Sequence, residues 1–211
     1  YWITEHIKIP NHKNRYMATA SAKYEFADWI NVTARAKMDR NNERRERMYD
    51  AGTNTLFASK YGYYSKSNIE NQQIYGELLL NINKYFVDNT LNVTANVGGN
   101  FENNDYQSDY FGGKLKSVAN LFTFGNVDTS EKNLANQYGY HLKKRAIFGS
   151  AQIGYKSMAY LDVTARNDWS STFKGTNTGS FFYPSIGLSG IITDIFRCST
   201  DIMPYMKVRI S

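Results

Sequence analysis

The chain of 211 residues has little cysteine, little proline and no long apolar run, and these are features that would assign it to a common class of protein. Its single cysteine, Cys198, excludes a framework of disulfide bonds within the chain and is too few for a thiolate zinc site. Only three prolines interrupt it, and no apolar run approaches the roughly 18 residues of a transmembrane helix. The mean hydropathy is −0.55. A negative value does not exclude a membrane, because strands that cross a bilayer carry polar residues at alternate positions.

The chain also lacks the clusters that nucleic-acid and metal sites need. The net charge is +6, but the basic residues are scattered along the chain, so the sequence predicts no nucleic-acid partner. Neither His6 nor His12 has a cluster of carboxylates and histidines beside it, and we interpret both as loop residues. The acidic stretch that follows Glu102 has no calcium-loop spacing. We therefore expect no metal site and no cofactor.

Aromatic residues and period-two alternation are abundant. Residues 16–26 and 29–39 predict a hairpin with a tight turn at Ala27 and Asp28. Similar strands are predicted at 74–83, 90–101, 146–155 and 181–189. Another begins at Leu161, and a truncated eighth strand lies near the end. One face of these strands carries no charge. The opposite face carries Lys23, Glu25, Arg35, Lys37, Glu77, Asp162 and Arg166.

The connections between these strands alternate between short and long. The two long ones are expected at Arg40–Gln73 and Glu102–Arg145. Within the first, the arginine run 40–47 is interpreted as a solvated loop or a helical turn, with a grip on sugar, peptide or lipopolysaccharide phosphate as the alternative. Aromatic residues gather at both ends of the strands. Short turns, long loops and aromatic rims together favour an all-β, antiparallel outer-membrane barrel over a soluble β-sandwich.

Several segments resemble one family closely. The segments VTARNDWSSTF and FFYPSIGLS, with the polar turn between them, resemble a barrel hairpin of the SusC-like (RagA-like) TonB-dependent transporters of Bacteroidetes outer membranes. The segments SAKYEFADWINVTARAKMD and MPYMKVRIS resemble other strands of the same family. The stretch Thr193–Met203 departs from this pattern, because it is long for a periplasmic turn.

The resemblance implies that residues 1–211 are seven to eight strands of a larger barrel that imports nutrients actively. It also implies a plug domain, a signal peptide and a TonB-binding segment outside these residues. The implied partners are a SusD-like surface lipoprotein as a lid, TonB–ExbB–ExbD as the energy source, and outer-membrane lipid with lipopolysaccharide. The implied substrates are mainly oligosaccharides, with oligopeptides as a minority.

On this interpretation, one set of residues faces lipid and another faces the lumen. The residues expected to face lipid are Val32, Leu80, Val93, Ile153 and Val163. The residues expected to face the lumen are Thr33, Arg35, Glu77, Asn81, Asn92, Thr94, Asn96, Asp162 and Arg166.

The candidate substrate-binding residues are aromatic side chains of the long connections, because polar oligomers need flat apolar faces as well as hydrogen-bonding groups. They are Tyr61, Tyr63, Tyr64, Tyr106, Tyr110 and Phe111. The alternative is that these rings only pack the connections together.

Two other classes of protein remain open. A hydrolase barrel would need a nucleophile with a base in reach, and His141 is the only histidine downstream of Tyr16. The residues Asp162, Arg166 and Asp168 could form a carboxylate site, but an ion pair in the lumen assumes less, so we expect no enzyme and no catalytic residue. The other alternative is a soluble or surface β-sandwich that serves as a carbohydrate-binding or adhesin module.

Overall fold

The computed structural model describes residues 2–130, 134–176, 179–197 and 204–211. Cys198 lies outside these ranges. The described residues are almost entirely β-structure, with two five-residue helices. No helix among them is long and apolar enough to cross a membrane. The elements in chain order are α1 (Trp2–His6), β1 (Ile7–Lys8), β2 (Asn11–Ala27), β3 (Ile30–Tyr49), β4 (Tyr63–Phe86), β5 (Leu91–Lys114), β6 (Ala135–Tyr155), β7 (Ala159–Ser170), β8 (Phe181–Ile191), α2 (Ile192–Phe196) and β9 (Lys207–Ile210).

The strands form one sheet in nearly sequential order. The order is β1-β3-β4-β5-β6-β7-β8-β9, and β2 also pairs with β3. Strands β6 and β7 are antiparallel from Lys144 opposite Ser170 to Tyr155 opposite Ala159. The predicted all-β, antiparallel class is therefore confirmed, and a meander of this kind is consistent with a barrel segment. Among the described residues, the ladder does not close on itself.

The short turns join neighbouring strands as the sequence predicts. Strands β2 and β3 are joined through Asp28 and Trp29 alone. The turn between β6 and β7 contains Lys156 and Ser157, with φ of 48° and 55°. Two consecutive left-handed residues give the twist that a tight hairpin needs. The turn between β4 and β5 achieves this with residues 87–89, all at positive φ.

The long connections are much shorter than the sequence indicates. Strand β3 continues to Tyr49 and β4 begins at Tyr63, so this connection is limited to residues 50–62. Likewise, β5 extends to Lys114 and β6 begins at Ala135. The expectation of a loop or helical turn for the arginine run was wrong, because residues 40–47 lie within β3 and pair with the sheet. The interpretation of His6 and His12 as loop residues was also wrong, because His6 ends α1 and His12 lies in β2, which begins at Asn11.

The chain divides into two compact units. The first unit comprises Tyr1–Ala18, Met38–Gln73 and Asn104–His141. Its hydrophobic cluster, which we call the loop core, is built on the buried side chains of Tyr64, Leu115 and Val127. The rings of Phe122 and Phe124 lie 6.3 and 5.4 Å from that of Tyr64.

The second unit comprises Thr19–Lys37, Ile74–Asn103 and Leu142–Ser211. Its strands alternate, so one face of the sheet is apolar and the other is polar. The large side chains of the apolar face are exposed, with Ile147 60% and Ile186 66% accessible. We call these the apolar face and the polar face of the second unit.

Candidate functional site

The first unit contains a small polar cleft that joins several strands. Its volume is about 320 Å³. Arg15 of β2 donates two hydrogen bonds to the Asp39 carboxylate of β3, at 2.9 and 2.6 Å. This bidentate pair raises the pKa of the Arg15 guanidinium above its ordinary value, through the hydrogen bonds and then the charge of Asp39. The lining residues of this polar cleft are Lys13, Arg15, Asp39, Asn41, Asn71, Gln73, Asn104 and Tyr140.

Amide side chains dominate the remainder of the cleft. Asn41 and Asn71 lie on neighbouring strands, β3 and β4, and both line it. The Oδ1 atom of Asn41 is buried and has no hydrogen-bond partner among the described residues. An unpaired buried acceptor of this kind costs about 1–3 kcal/mol.

A group of tyrosines adjoins the polar cleft through Tyr140. The rings of Tyr106 and Tyr140 are stacked, with centroids 5.3 Å apart and an interplanar angle of 14°. Tyr138 meets them edge-on, 6.1 Å from Tyr106 and 6.3 Å from Tyr140. Tyr138 and Tyr140 are 58% and 45% exposed. The first unit thus combines aromatic faces with hydrogen-bonding and charged groups.

A second tyrosine pair is more enclosed. The hydroxyl oxygens of Tyr63 and Tyr110 are 2.7 Å apart, and Tyr49 stacks on Tyr63 at 5.2 Å. Burial, followed by the bond to Tyr63, raises the pKa of Tyr110 to about 12. Tyr110 therefore stays protonated at physiological pH, and its bond to Tyr63 joins β4 and β5 through their side chains.

The six aromatic candidates from the sequence separate into two groups. Tyr63, Tyr106 and Tyr110 take part in the tyrosine contacts described above. The other three, Tyr61, Tyr64 and Phe111, belong to or pack against the loop core. Tyr64 is only 7% exposed, so it offers no face to a ligand, and the packing alternative accounts for it.

The sequence reasoning missed the polar cleft. Of the tyrosine stack, which consists of Tyr106, Tyr138 and Tyr140, it found only Tyr106. The available signals were the opposite charges of Arg15 and Asp39 across the first hairpin, and the alternate placement of Tyr138 and Tyr140. Both were overlooked because Arg15 lies before the first predicted strand, and because Tyr138 and Tyr140 lie in the connection expected at Glu102–Arg145.

The second unit holds all nine residues that were expected to face a lumen. Thr33 lies between Asn31 and Arg35 on β3 and shares their face by alternation. The hydrogen bonds of the set are Arg35 to Glu77 at 3.3 Å, Asn81 to Asn31 at 2.9 Å, Asn92 to Asn83 at 3.0 Å, Thr94 to Asn92 at 3.3 Å, Asn96 to Ser150 at 3.3 Å, Gln152 to Asp162 at 2.6 Å, and Arg166 to Asp168 at 2.9 Å.

These contacts place the set on one polar face. The register of β6 and β7 supports this, because Gln152 lies opposite Asp162 and Phe148 opposite Arg166. A cleft of about 580 Å³ on this face is lined in part by Tyr75, Arg166 and Tyr183. Hydrogen bonds and ion pairs within the face link many of its polar groups to one another.

The histidines give a hydrolase little support. His141 contacts the Asp105 carboxylate through Nδ1, and the two side chains are 79% and 39% exposed. His6 makes a similar contact with Asp50 at 2.9 Å. Among the described residues, no group of three histidine, cysteine or carboxylate side chains could hold a metal ion.

Comparisons with known proteins were informative at the level of the fold. No family model matches the sequence, and no curated protein matches it. Solved structures do match. The chain superposes on a chain of the RagAB peptide importer in its open-open state with a TM-score of 0.87 and 15% identity. That alignment covers 99% of this chain and 23% of the importer chain.

A second state of the same importer gives an equivalent result. Its closed-closed structure matches with a TM-score of 0.85 and 16% identity, over 97% of this chain and 22% of the other. The chain therefore spans about a quarter of the length of the solved chains that it matches. At this identity the likeness shows a common fold, that of a segment of a transporter chain.

Proposed function

We propose that this chain is part of the barrel of a TonB-dependent outer-membrane importer that takes up polar oligomeric nutrients. The observation that carries the proposal is the asymmetry of the second unit: one face exposes Ile147 and Ile186, and the other is a network of paired polar groups. A face so apolar and so exposed needs a covering of low polarity. Lipid on one side and a wet lumen on the other satisfy both faces.

The likeness to the RagAB peptide importer supports the same proposal at the level of the fold. The family resemblance adds a SusD-like lipoprotein as a lid and TonB–ExbB–ExbD as the energy source. In this arrangement residues 1–211 belong to the barrel domain, and the plug and the TonB-binding segment lie elsewhere in the protein. The chain performs no chemistry of its own, and it binds and passes its substrate.

Within the first unit, we propose that the polar cleft and the tyrosine stack contact the substrate. Amide side chains such as Asn71 can pair with hydroxyl or peptide groups, and the exposed ring of Tyr140 can stack on the apolar side of a sugar or a side chain. The Arg15–Asp39 pair adds both charges. Oligosaccharides are the primary substrate of this proposal, and oligopeptides are the second.

The test uses the complete protein in its outer membrane. Cells that carry the Tyr140→Ala variant should take up labelled oligosaccharide at least several-fold more slowly than the parent. Tyr16→Ala is the matched control, because Tyr16 is an exposed tyrosine of the first unit outside the cleft. Oligopeptide uptake, measured in parallel, separates the two substrate classes.

Two results would count against the proposal. Unchanged uptake in the Tyr140→Ala variant, with normal membrane insertion, would remove the cleft from the transport route. Recovery of the protein in the soluble fraction as a monomer without detergent would remove the importer itself and favour the adhesin or carbohydrate-binding alternative.

A further inference from the structure

The connection between β5 and β6 contains a segment that is organised around one buried side chain. Asn126 is 4% exposed. Its Oδ1 atom accepts hydrogen bonds from the backbone N–H groups of Ser117 and Val118, at 3.2 and 3.1 Å. Its Nδ2 group donates to the carbonyl oxygens of Val118 and Leu121, at 2.7 and 3.0 Å. Residues 116–126, which we call the flap, therefore have a hydrogen-bonded centre of their own.

A short neck joins the flap to the strands of the first unit. Leu115 and Val127 form an antiparallel bridge there, and both side chains are buried in the loop core. The backbone N–H of Leu115 donates to the Gly62 carbonyl oxygen at 2.9 Å, and Ser59 Oγ donates to the Leu115 carbonyl oxygen at 2.6 Å. The neck is thus anchored by apolar burial and by hydrogen bonds directly after β5.

Midway along the flap, Asn120 fastens it to the other long connection. The Oδ1 atom of Asn120 accepts a hydrogen bond from the Ala51 N–H at 2.6 Å, and its own N–H donates to the Tyr61 carbonyl oxygen at 3.0 Å. Its φ is 59°, a left-handed conformation that asparagine tolerates better than most residues. One residue of the flap therefore bonds to both ends of the connection at residues 50–62.

The flap also covers two aromatic rings. The ring of Phe124 lies 5.4 Å from that of Tyr64 and meets Phe111 edge-on at 4.8 Å. The ring of Phe122 lies 6.3 Å from that of Tyr64. Phe124 is 43% exposed whereas Tyr64 is buried, so the flap lies between solvent and the ring of Tyr64.

We propose that the flap is a pre-folded segment that opens as one body on its neck, with Asn120 as the latch that keeps it closed. The bonds of Asn126 lie inside the flap, whereas those of Asn120 cross to another connection, so the second set can break while the first stays intact. Local opening of this kind needs less free energy than global unfolding. Opening uncovers the rings of Tyr64 and Phe111, two of the aromatic candidates that the closed form packs away. This motion lies within the first unit and does not depend on the proposed importer.

The first experiment releases the latch without straining the backbone. Asn120→Gly keeps the left-handed conformation and removes the side-chain bond. Hydrogen exchange, resolved by residue and corrected for intrinsic rates, is measured on the complete protein in detergent. The amide of residue 120 keeps its acceptor on Tyr61, and with the latch gone it should exchange roughly fivefold faster. The amides of Ser117 and Val118 in the flap, and of Leu115 in the neck, should change by less than about twofold, because the flap moves as one body.

Three further variants serve as controls. Asn120→Asp keeps an acceptor oxygen for the Ala51 N–H and should exchange as the parent does. Asn89→Gly makes the same substitution at another asparagine of positive φ, 64°, whose side chain has no hydrogen-bond partner among the described residues. It should leave exchange in the flap unchanged. Asn126→Ala removes the centre of the flap, so exchange should rise throughout residues 116–126.

The second experiment measures what the flap covers. Hydroxyl-radical footprinting, read by mass spectrometry, reports the accessibility of individual side chains. In Asn120→Gly the rings of Tyr64 and Phe111 should be modified several-fold more than in the parent. Leu115 is 1% exposed and should stay protected, because the neck remains closed.

Three outcomes would overturn the inference. Unchanged exchange at residue 120 in Asn120→Gly would show that Asn120 is not a latch. Faster exchange at Ser117 and Val118 in the same variant would show that the segment melts instead of opening as one body. Protection of Tyr64 and Phe111 despite faster exchange would show that the flap does not cover them. Each of these results leaves the uptake test of the proposed function untouched.

Discussion

The two units contain parts of the same strands, but the first buries its apolar side chains and the second exposes them. The first unit has a loop core of its own, in which Leu115 and Val127 are 1% and 0% exposed. The second unit leaves Leu188, Ile147 and Ile186 on its surface. A protein in water is expected to bury such residues. The difference is that the first unit buries its apolar side chains as a soluble protein does, whereas the second leaves them on its surface.

The largest expected effect comes from removing the centre of the loop core. Leu115→Ala should destabilise the connection after β5 by about 2–5 kcal/mol, because it leaves a cavity among buried groups. The measurement is hydrogen exchange at the Lys116 and Asp128 amides, which donate to Asn126 and Lys114. Leu188→Ala on the apolar face is the control and should cost about 0.5 kcal/mol or less. Equal costs would mean that Leu115 and Leu188 are buried to the same extent in the folded protein.

A charge introduced on the apolar face should have the next largest effect on stability. Leu80→Arg is expected to cost about 2–4 kcal/mol near the middle of a bilayer, because hydrocarbon cannot hydrate the guanidinium. Thr33→Arg, on the polar face of the neighbouring strand, should cost much less. Folding titrations into lipid vesicles measure both. Equal penalties on the two faces would remove the main support for the barrel.

A smaller effect is expected from the Tyr63–Tyr110 pair. Since the pKa of Tyr110 is raised to about 12, the folded state holds the proton more tightly than the unfolded chain does. This contribution to stability is complete below the ordinary tyrosine pKa of about 10 and is lost as the pH rises through 12.

The Tyr63→Phe variant tests the cause of that shift. Burial is the larger cause and the bond to Tyr63 the second, so the variant should lower the pKa of Tyr110 only part of the way to its ordinary value. Phenolate absorbance, taken as the difference from a Tyr110→Phe variant, reports this group alone. An unchanged pKa would show that burial accounts for the whole shift.

The smallest effect is expected at the contact between His141 and Asp105. Both side chains are accessible to solvent, and exposed pairs of this kind contribute little. His141→Ala should leave the unfolding midpoint within error of the parent. A clear loss of stability, or of nutrient uptake, would give this pair a role that its exposure does not suggest.

The sequence predicted the second unit well because its two faces meet different surroundings. Alternation such as Ile30, Val32 and Ala34 against Asn31 and Thr33 reports directly which face is apolar. The tight turns followed from the same pattern, since the alternation stops where each hairpin reverses. The extent of the apolar strands was therefore readable without a structure.

In the first unit the same reasoning failed for a physical reason. When both faces of a strand are polar, the backbone ladder continues but the side chains no longer alternate. Residues 40–47 of β3 carry charge on both faces, with Arg44 bonded to Glu46 on one and Arg45 to Glu43 on the other. A charge run of this kind is indistinguishable in sequence from a solvated loop. The polar cleft was missed for that reason, because its residues come from strand ends of this type.

Under the proposed function, the length of the apolar band on β6 has a consequence for the membrane itself. Arg145 and Tyr155 bound this band, with Ile147 and Ile153 between them on the same face. About ten residue steps at ~3.3 Å each give roughly 33 Å along the strand, or about 25 Å of vertical height at a tilt near 40°. A bilayer of that hydrocarbon thickness would match the band without deformation, whereas a thicker one would have to thin around it. Measured in vesicles of graded acyl length, folding should therefore be most efficient in thin bilayers.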